Sequence, residues 1–105
     1  MIIGSYAIKY HFPDFPREPK DCDYIDGLKI KFENPENIKF AKLENPVFNK
    51  YYGYLPSFIG KDELYTLKIS HLFWDINWEK HMWDVQFLKD KGCKFIPDLF
   101  YKLYN

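Results

Sequence analysis

Three prolines spaced three residues apart constrain the start of this chain more than any other feature. Pro13, Pro16 and Pro19 lie in the segment Phe12–Lys20, with charged residues between them. Each proline removes a backbone N–H donor and disfavours helical geometry at the residue before it. The segment is therefore predicted to be a loop that separates a short N-terminal stretch from the rest of the chain.

The stretch before this loop is predicted to form a strand, a tight turn and a helix. Met1–Ile3 is apolar, Gly4 and Ser5 follow, and Tyr6–His11 is long enough for about two helical turns. Glycine favours the tight turn because it adopts backbone conformations that other residues avoid.

Beyond the loop, the sequence predicts two strands joined by a tight turn. Asp21–Ile25 and Leu28–Phe32 flank the pair Asp26-Gly27. An Asp-Gly pair between two such segments is a strong local signal for a β-hairpin. Ile38–Leu43 is predicted to be a third short strand, because Asn-Pro pairs on both sides disfavour helix at its ends.

The apolar residues after Gly60 recur with helical spacing. Asp62–Trp74 is predicted to be one helix, and a second helix is predicted to have Asn77 as its N-cap and Gly92 as its terminating glycine. Pro97 suits the first position of a short last helix that ends at Tyr104.

Together these elements predict a single α+β domain over residues 1–105. Its expected parts are a small mixed β-sheet of three to four strands, an N-terminal helix and a C-terminal set of two or three helices. Aromatic residues make up 21% of the chain, and such large side chains can close a small core. The tryptophans, Trp74, Trp78 and Trp83, are accordingly expected in the core.

Charge and cysteine content narrow the classes of protein that fit. Fifteen basic residues balance fifteen acidic ones, so no overall field draws the chain to nucleic acid or to an anionic membrane. Cys22 and Cys93 lack the spacing of a zinc site or a disulfide framework, which favours free thiols. The chain shows no signal-peptide pattern and no apolar run near the roughly 20 residues of a membrane span. A cytoplasmic protein without a membrane partner is expected.

The residues most typical of chemistry are Gly4, Ser5, Asp21 and Asp23. Alternate side chains of a strand share a face, so the two carboxylates are expected about 7 Å apart on one side. Such a pair favours a bound cation, and carboxylate oxygens suit Mg²⁺. A serine and free amides at the start of a helix can hold a phosphate. Paired carboxylates beside a phosphate site are what nucleotidyl transfer requires.

A family resemblance rests on two runs, Gly4–Ala7 and Arg17–Tyr24. They resemble the glycine-serine and Asp-x-Asp motifs of the nucleotidyltransferase superfamily, which includes DNA polymerase β. The resemblance is strongest to the small members found in abortive-infection and toxin-antitoxin systems, which indicates a phage or defence context. Those proteins often carry an arginine and a lysine or threonine shortly before the paired acids, as Arg17 and Lys20 stand here.

The resemblance implies a mixed sheet flanked by helices and a magnesium-dependent transferase. Asp21 and Asp23 would be catalytic and would hold up to two Mg²⁺ ions. The phosphates of a nucleoside triphosphate would lie on the glycine-serine turn, and the nucleotide would be transferred to an RNA or protein hydroxyl. The nucleotide-binding residues would be Gly4, Ser5 and Arg17.

The C-terminal half shows a second resemblance to the same family. Lys68–His71 and Lys80–Asp84 resemble helices in which a lysine contacts phosphates and a Lys-x-x-x-Asp stretch follows. This implies nucleotide-binding roles for Lys68 and Lys80, with Lys80 paired to Asp84 one turn away. The alternative is that Lys68 and Asp84 are ordinary surface charges.

The family pattern also has a third carboxylate, which acts as the base or completes the second metal site. Glu33 and Glu44 are the nearby candidates, and Glu33 is taken as the catalytic residue. The histidines are expected to be packed or capping residues rather than catalytic bases: His11, His71 and His81.

Three other interpretations stay open. Asp21 and Asp23 can be solvated acids of a hairpin strand that faces Lys29 and Lys31. The chain can be an inactive nucleotidyltransferase-like protein that binds a host or cognate protein partner through its aromatic residues. It can also be an RNA-binding module that uses exposed rings and the lysines Lys29, Lys31, Lys39 and Lys42.

Overall fold

A computed structural model describes residues 1–32 and 35–104 and shows a mixed α+β protein. The described elements divide into two compact units, one up to Ile59 and one from Gly60 onward. The prediction of one domain over residues 1–105 stays a prediction. In chain order the elements are α1 (Gly4–His11), β1 (Asp21–Ile25), a 3-10 turn (Pro35–Asn37), β2 (Lys39–Leu43), α2 (Pro46–Tyr52), α3 (Lys61–His71), α4 (Trp78–Asp90) and α5 (Pro97–Tyr104).

The first unit is built around a parallel pair of strands. β1 and β2 pair along their whole lengths, with Asp21 opposite Lys39. Ile2 extends this pairing through an antiparallel bridge to Tyr24 and a parallel bridge to Phe58. The short extended start of the chain is thus confirmed. Within the described residues the sheet has two strands, where three to four were predicted.

The predicted hairpin is wrong, and the turn after β1 explains why. Leu28–Phe32 forms no strand. Asp26 has a φ of 61°, but Gly27 is not in the left-handed region, and the favoured turn for an Asp-Gly hairpin needs positive φ at both residues. The chain crosses over instead, and Phe32 packs edge-on against Tyr6 with ring centroids 5.2 Å apart. Such a longer connection is what a parallel strand pair requires.

The core of the first unit fixes the start of α1 beside the middle of β1. The amide of Ile3 donates to the carbonyl of Asp23 at 2.9 Å, and the amide of Ile25 donates to the carbonyl of Met1 at 2.8 Å. Burial of apolar side chains around this junction stabilises it. The fully buried side chains of the unit include Ile2, Ile8, Ile25, Phe48 and Ile59.

The second unit consists of α3, α4 and α5, which confirms the predicted C-terminal set of helices. α3 ends at His71 rather than at Trp74. Gly92, with a φ of 84°, follows the end of α4, as predicted for a terminating glycine. Pro97 is the first residue of α5. None of the helices in residues 1–32 and 35–104 is long and apolar enough to cross a membrane.

The tryptophans are exposed, so their predicted place in the core is wrong. Trp74 is 65% exposed, Trp78 51% and Trp83 78%. The buried side chains of α4 are those of Asp84 and Leu88, which lie one turn apart on the same helical face. Trp78 and Trp83 fall on other faces of that helix, and Trp74 lies in the turn before it.

Candidate functional site

The close approach of Asp23 to Gly4 is the main feature of the first candidate site. Gly4 begins α1 with a φ of 70°, in the left-handed region that favours glycine. A Cβ atom at this position would lie 3.2 Å from Oδ2 of Asp23. The glycine therefore serves both the backbone turn and the space that the carboxylate occupies.

Asp21 and Asp23 lie on the same face of β1 because side chains alternate along a strand. Asp21 is exposed and Asp23 is half-buried. Cys22 lies on the opposite face and is fully buried; this burial, followed by the charge of Asp23, raises the pKa of its thiol to about 11. The polar face thus carries two carboxylates, and such an oxygen donor set with access to water suits Mg²⁺.

The first turn of α1 adds hydrogen-bond donors to this site. Ile3 occupies the N-cap position and supplies no side-chain cap, and the first turn carries no acidic residue. The first N–H groups of a helix have no partner within the helix, and the helix dipole favours an anion there. Ser5, which is half-buried, adds a hydroxyl in the same turn. A phosphate could bind here, next to Asp23.

The other residues predicted for the first unit are an arginine, two glutamates and a set of lysines. The guanidinium of Arg17 lies 5.0 Å from the ring centroid of Phe15. Glu33 lies outside the described residues, and Glu44 is exposed. Among the lysines considered for RNA binding, Lys29 donates a hydrogen bond from Nζ to a backbone carbonyl.

A small cavity of about 260 Å³ also lies in the first unit. Its volume is below the roughly 300–1,000 Å³ of typical small-molecule sites. None of the predicted site residues that the structure describes lines it, so it adds nothing to the candidate site. The lining residues are Tyr6, Lys9, Tyr10, Glu18, Pro19, Ile38 and Phe58.

Lys68 forms a buried ion pair in the second unit. Its Nζ lies 3.0 Å from Oδ2 of Asp84, and the two side chains are 7% and 1% exposed. The interpretation of Lys68 and Asp84 as surface charges is therefore wrong. Lys80 is exposed on α4, and the ion partner that the structure gives Asp84 lies on α3. The nucleotide-binding roles of Lys68 and Lys80 stay predictions.

A cluster of three polar side chains lies around the turn that connects α3 to α4. One candidate ligand atom from each of His71, Asp75 and His81 lies within 4.8 Å of the other two. Nε2 of His81 is 2.9 Å from Oδ2 of Asp75, and Oδ1 of Asp75 accepts a hydrogen bond from the amide of Asn77 at 2.8 Å. The sequence prediction did not include this cluster.

Burial keeps His71 uncharged. Desolvation, followed by the nearby His81 and Lys68, lowers the pKa of His71 to about 4, although the carboxylate of Asp75 opposes this shift. The backbone hydrogen bond from Asn77 and the bond from His81 lower the pKa of Asp75. At neutral pH the cluster therefore contains a neutral imidazole beside a carboxylate.

A comparison with protein families finds a match that lies in the second unit. Residues 63–105 match a family described as a domain of unknown function (DUF7275). This stretch includes the Lys68–Asp84 pair and the cluster of His71, Asp75 and His81. Searches of curated proteins and of solved structures found no match.

Proposed function

We propose that this chain is a nucleotidyltransferase-like protein that binds Mg²⁺ and a nucleoside triphosphate and transfers a nucleotide to an RNA or protein hydroxyl. The observation that carries the proposal is the Asp23 carboxylate packed against Gly4 at the start of α1. The bridges from Ile2 to Tyr24 and Phe58 extend the strand pair toward the larger mixed sheet that this fold would have.

The residues of the first unit have distinct roles in this proposal. Asp21 and Asp23 would hold the metal, which would supply charge neutralisation at the reacting phosphate. The amides of the first turn of α1 and the hydroxyl of Ser5 would hold the other phosphates. The acceptor oxygen would form a bond to the α-phosphorus, the bond to the bridging oxygen would break, and pyrophosphate would leave. Glu33 is the proposed base for the proton of the acceptor hydroxyl.

Thermal unfolding with Mg²⁺ and each of the four nucleoside triphosphates tests the proposal. A ligand that binds only the native state adds about 2.7 kcal/mol of stability at 100 times its dissociation constant. We expect at least one triphosphate to raise the midpoint of the wild type but not that of Asp23→Asn. Asp26→Asn is the matched control, because it removes the same charge three residues away at an exposed position where asparagine tolerates a positive φ. Equal shifts in the two variants, or no shift in the wild type, would refute the proposal.

A second candidate function is a protein-binding role without catalysis. The observation that favours it is the group of exposed apolar side chains on the α3–α4 turn and on α4, in which Ile76 is 92% exposed and Trp83 78%. Apolar surface of this kind is typical of interaction sites. The test compares complex formation by Ile76→Ser and Trp83→Ser with that by Asp23→Asn. Loss of a partner only in the first two variants supports a binding role, and loss only in Asp23→Asn contradicts it.

A further inference from the structure

We propose that His71, Asp75 and His81 form a binding site for a divalent transition-metal ion, with Zn²⁺ as the best-suited ion. The three residues come from consecutive parts of the second unit: the last residue of α3, the turn that follows and the first turns of α4. Two imidazoles and one carboxylate form a ligand set that suits zinc and related metals. Mg²⁺ prefers oxygen ligands, so this site is separate in chemistry from the carboxylates of the first unit.

The distances within the cluster are close to those of a metal site. Zinc bonds of about 2.0–2.2 Å at tetrahedral angles place neighbouring ligand atoms about 3.4 Å apart. The ligand atoms here lie within 4.8 Å of one another, and Nε2 of His81 and Oδ2 of Asp75 are 2.9 Å apart. An ion could take the place of the hydrogen-bond proton between Nε2 of His81 and Oδ2 of Asp75, and small side-chain rotations would bring His71 into range.

Both histidine rings carry a nitrogen that the rest of the cluster does not use. Nδ1 of His71 and Nδ1 of His81 are buried and have no hydrogen-bond partner among the described residues. Buried polar atoms are almost always paired, so two unpaired nitrogens on rings in edge-to-face contact call for an explanation. The ring centroids of His71 and His81 are only 4.8 Å apart. An ion bound through Nε2 of His81 would leave Nδ1 of that ring as it is, so the unpaired atom that the ion would satisfy is Nδ1 of His71.

The charges around the cluster are compatible with a cation. Lys68 lies one turn before His71 on α3, and its charge opposes a cation there; its ion pair with Asp84 at 3.0 Å reduces this repulsion. The carboxylate of Asp75 offsets one charge of the ion.

Three protein ligands leave a fourth coordination position open. Structural zinc sites use four protein ligands, whereas sites that act on a substrate keep one position for water or substrate. The side chains of Asp75 and His81 are 23% and 12% exposed, so solvent reaches the cluster. The geometry therefore favours a site with an exchangeable ligand over a purely structural one.

Titration of the full chain with Zn²⁺, after removal of metals with a chelator and in a non-chelating reductant, tests the site. We expect calorimetry to show one high-affinity ion per chain at this cluster and Co²⁺ to give the visible absorption of a tetrahedral site. Asp75→Asn and His81→Ala should weaken Zn²⁺ binding about tenfold or more, on the scale of altered metal-site residues. Asp75→Asn keeps the acceptor for the Asn77 amide, so it tests the ligand with little change of fold.

Two control variants make the outcome specific. His11→Gln removes the remaining histidine, whose Nε2 lies 2.6 Å from the carbonyl of Ile59, and retains a side-chain donor. Asp26→Asn removes an exposed carboxylate that belongs to neither proposed site. Both variants should bind Zn²⁺ as the wild type does. Absence of Zn²⁺ binding in the wild type, unchanged binding in Asp75→Asn, or loss of binding in His11→Gln would overturn the proposal. If circular dichroism shows that His81→Ala is unfolded, Zn²⁺ binding by Asp75→Asn alone tests the proposal.

Discussion

Replacing Lys68 with methionine removes an ammonium group from a buried ion pair while keeping an unbranched side chain of similar length. The carboxylate of Asp84 then stays in a position that is 1% exposed, without its partner at 3.0 Å. Loss of one member of a buried pair typically destabilises a protein by about 3–5 kcal/mol. Domains of this size have a total stability of about 5–15 kcal/mol, so Lys68→Met should remove a large part of it. Asp84→Asn, which leaves the ammonium unpaired, should have a similar effect.

A double-mutant cycle measures how much of this effect belongs to the pair. Lys68→Met/Asp84→Asn removes both charges of the pair, so its loss of stability should be smaller than the sum of the two single losses by about 2 kcal/mol or more. Urea unfolding followed by tryptophan fluorescence is a suitable assay, because Trp74, Trp78 and Trp83 all lie in the second unit. A loss below about 1 kcal/mol in each single variant, as for an exposed pair, or losses that add in the double variant would contradict a strong buried ion pair.

Three further predictions concern single positions. Gly4→Ala should destabilise the first unit by about 1–2 kcal/mol, because the φ of Gly4 is 70° and the new Cβ would lie 3.2 Å from Oδ2 of Asp23. The assay is urea unfolding followed by circular dichroism, with Gly27→Ala as the control because a Cβ there meets open space. Equal unfolding midpoints of the two variants would contradict this prediction. His71 has a folded pKa of about 4 against an ordinary value of 6.5, so the unfolded chain binds the extra proton between these values and stability falls as the pH falls through them. The free energy of unfolding falls by at most about 3 kcal/mol in metal-free protein. An NMR titration of His71 in the folded protein with a midpoint near the ordinary value would rule out this pH dependence. Cys22, buried and with its pKa raised to about 11, should resist iodoacetamide at mildly alkaline pH until urea unfolds the chain; mass spectrometry that finds it labelled in the folded state would contradict this.

The features predicted correctly from the sequence are those with local causes. Gly92 ends α4 and Pro97 starts α5 because a terminating glycine and a first-turn proline act within one helical turn. The hairpin failed because the Asp-Gly signal is only a preference. Gly27 does not take the positive φ that the turn needs, and the partner of β1 comes from beyond the crossover.

In the candidate sites too, sequence patterns were informative only where local contacts decide the structure. The sequence singled out Gly4 and Asp23, and the hydrogen bond from the amide of Ile3 to the carbonyl of Asp23 brings these two residues together. Burial of Lys68 and exposure of Trp83 could not be predicted in the same way. Both depend on which faces α3 and α4 turn toward each other, and a charged residue is ordinarily expected outside.

Polar contacts link α3 and α4 at two consecutive levels, and this arrangement connects the stability of the second unit with its chemistry. Lys68 pairs with Asp84, and one turn further along α3 the ring of His71 meets that of His81. The spacing of three residues is the same on both helices, so the two contacts define the register of an antiparallel helix pair. Apolar packing alone would tolerate small shifts of that register, whereas an ion pair and an edge-to-face contact of two imidazoles lose their geometry when the helices slide. The Lys68–Asp84 ion pair therefore holds the register of the two helices. This register keeps the imidazoles of His71 and His81 and the carboxylate of Asp75 within reach of one ion.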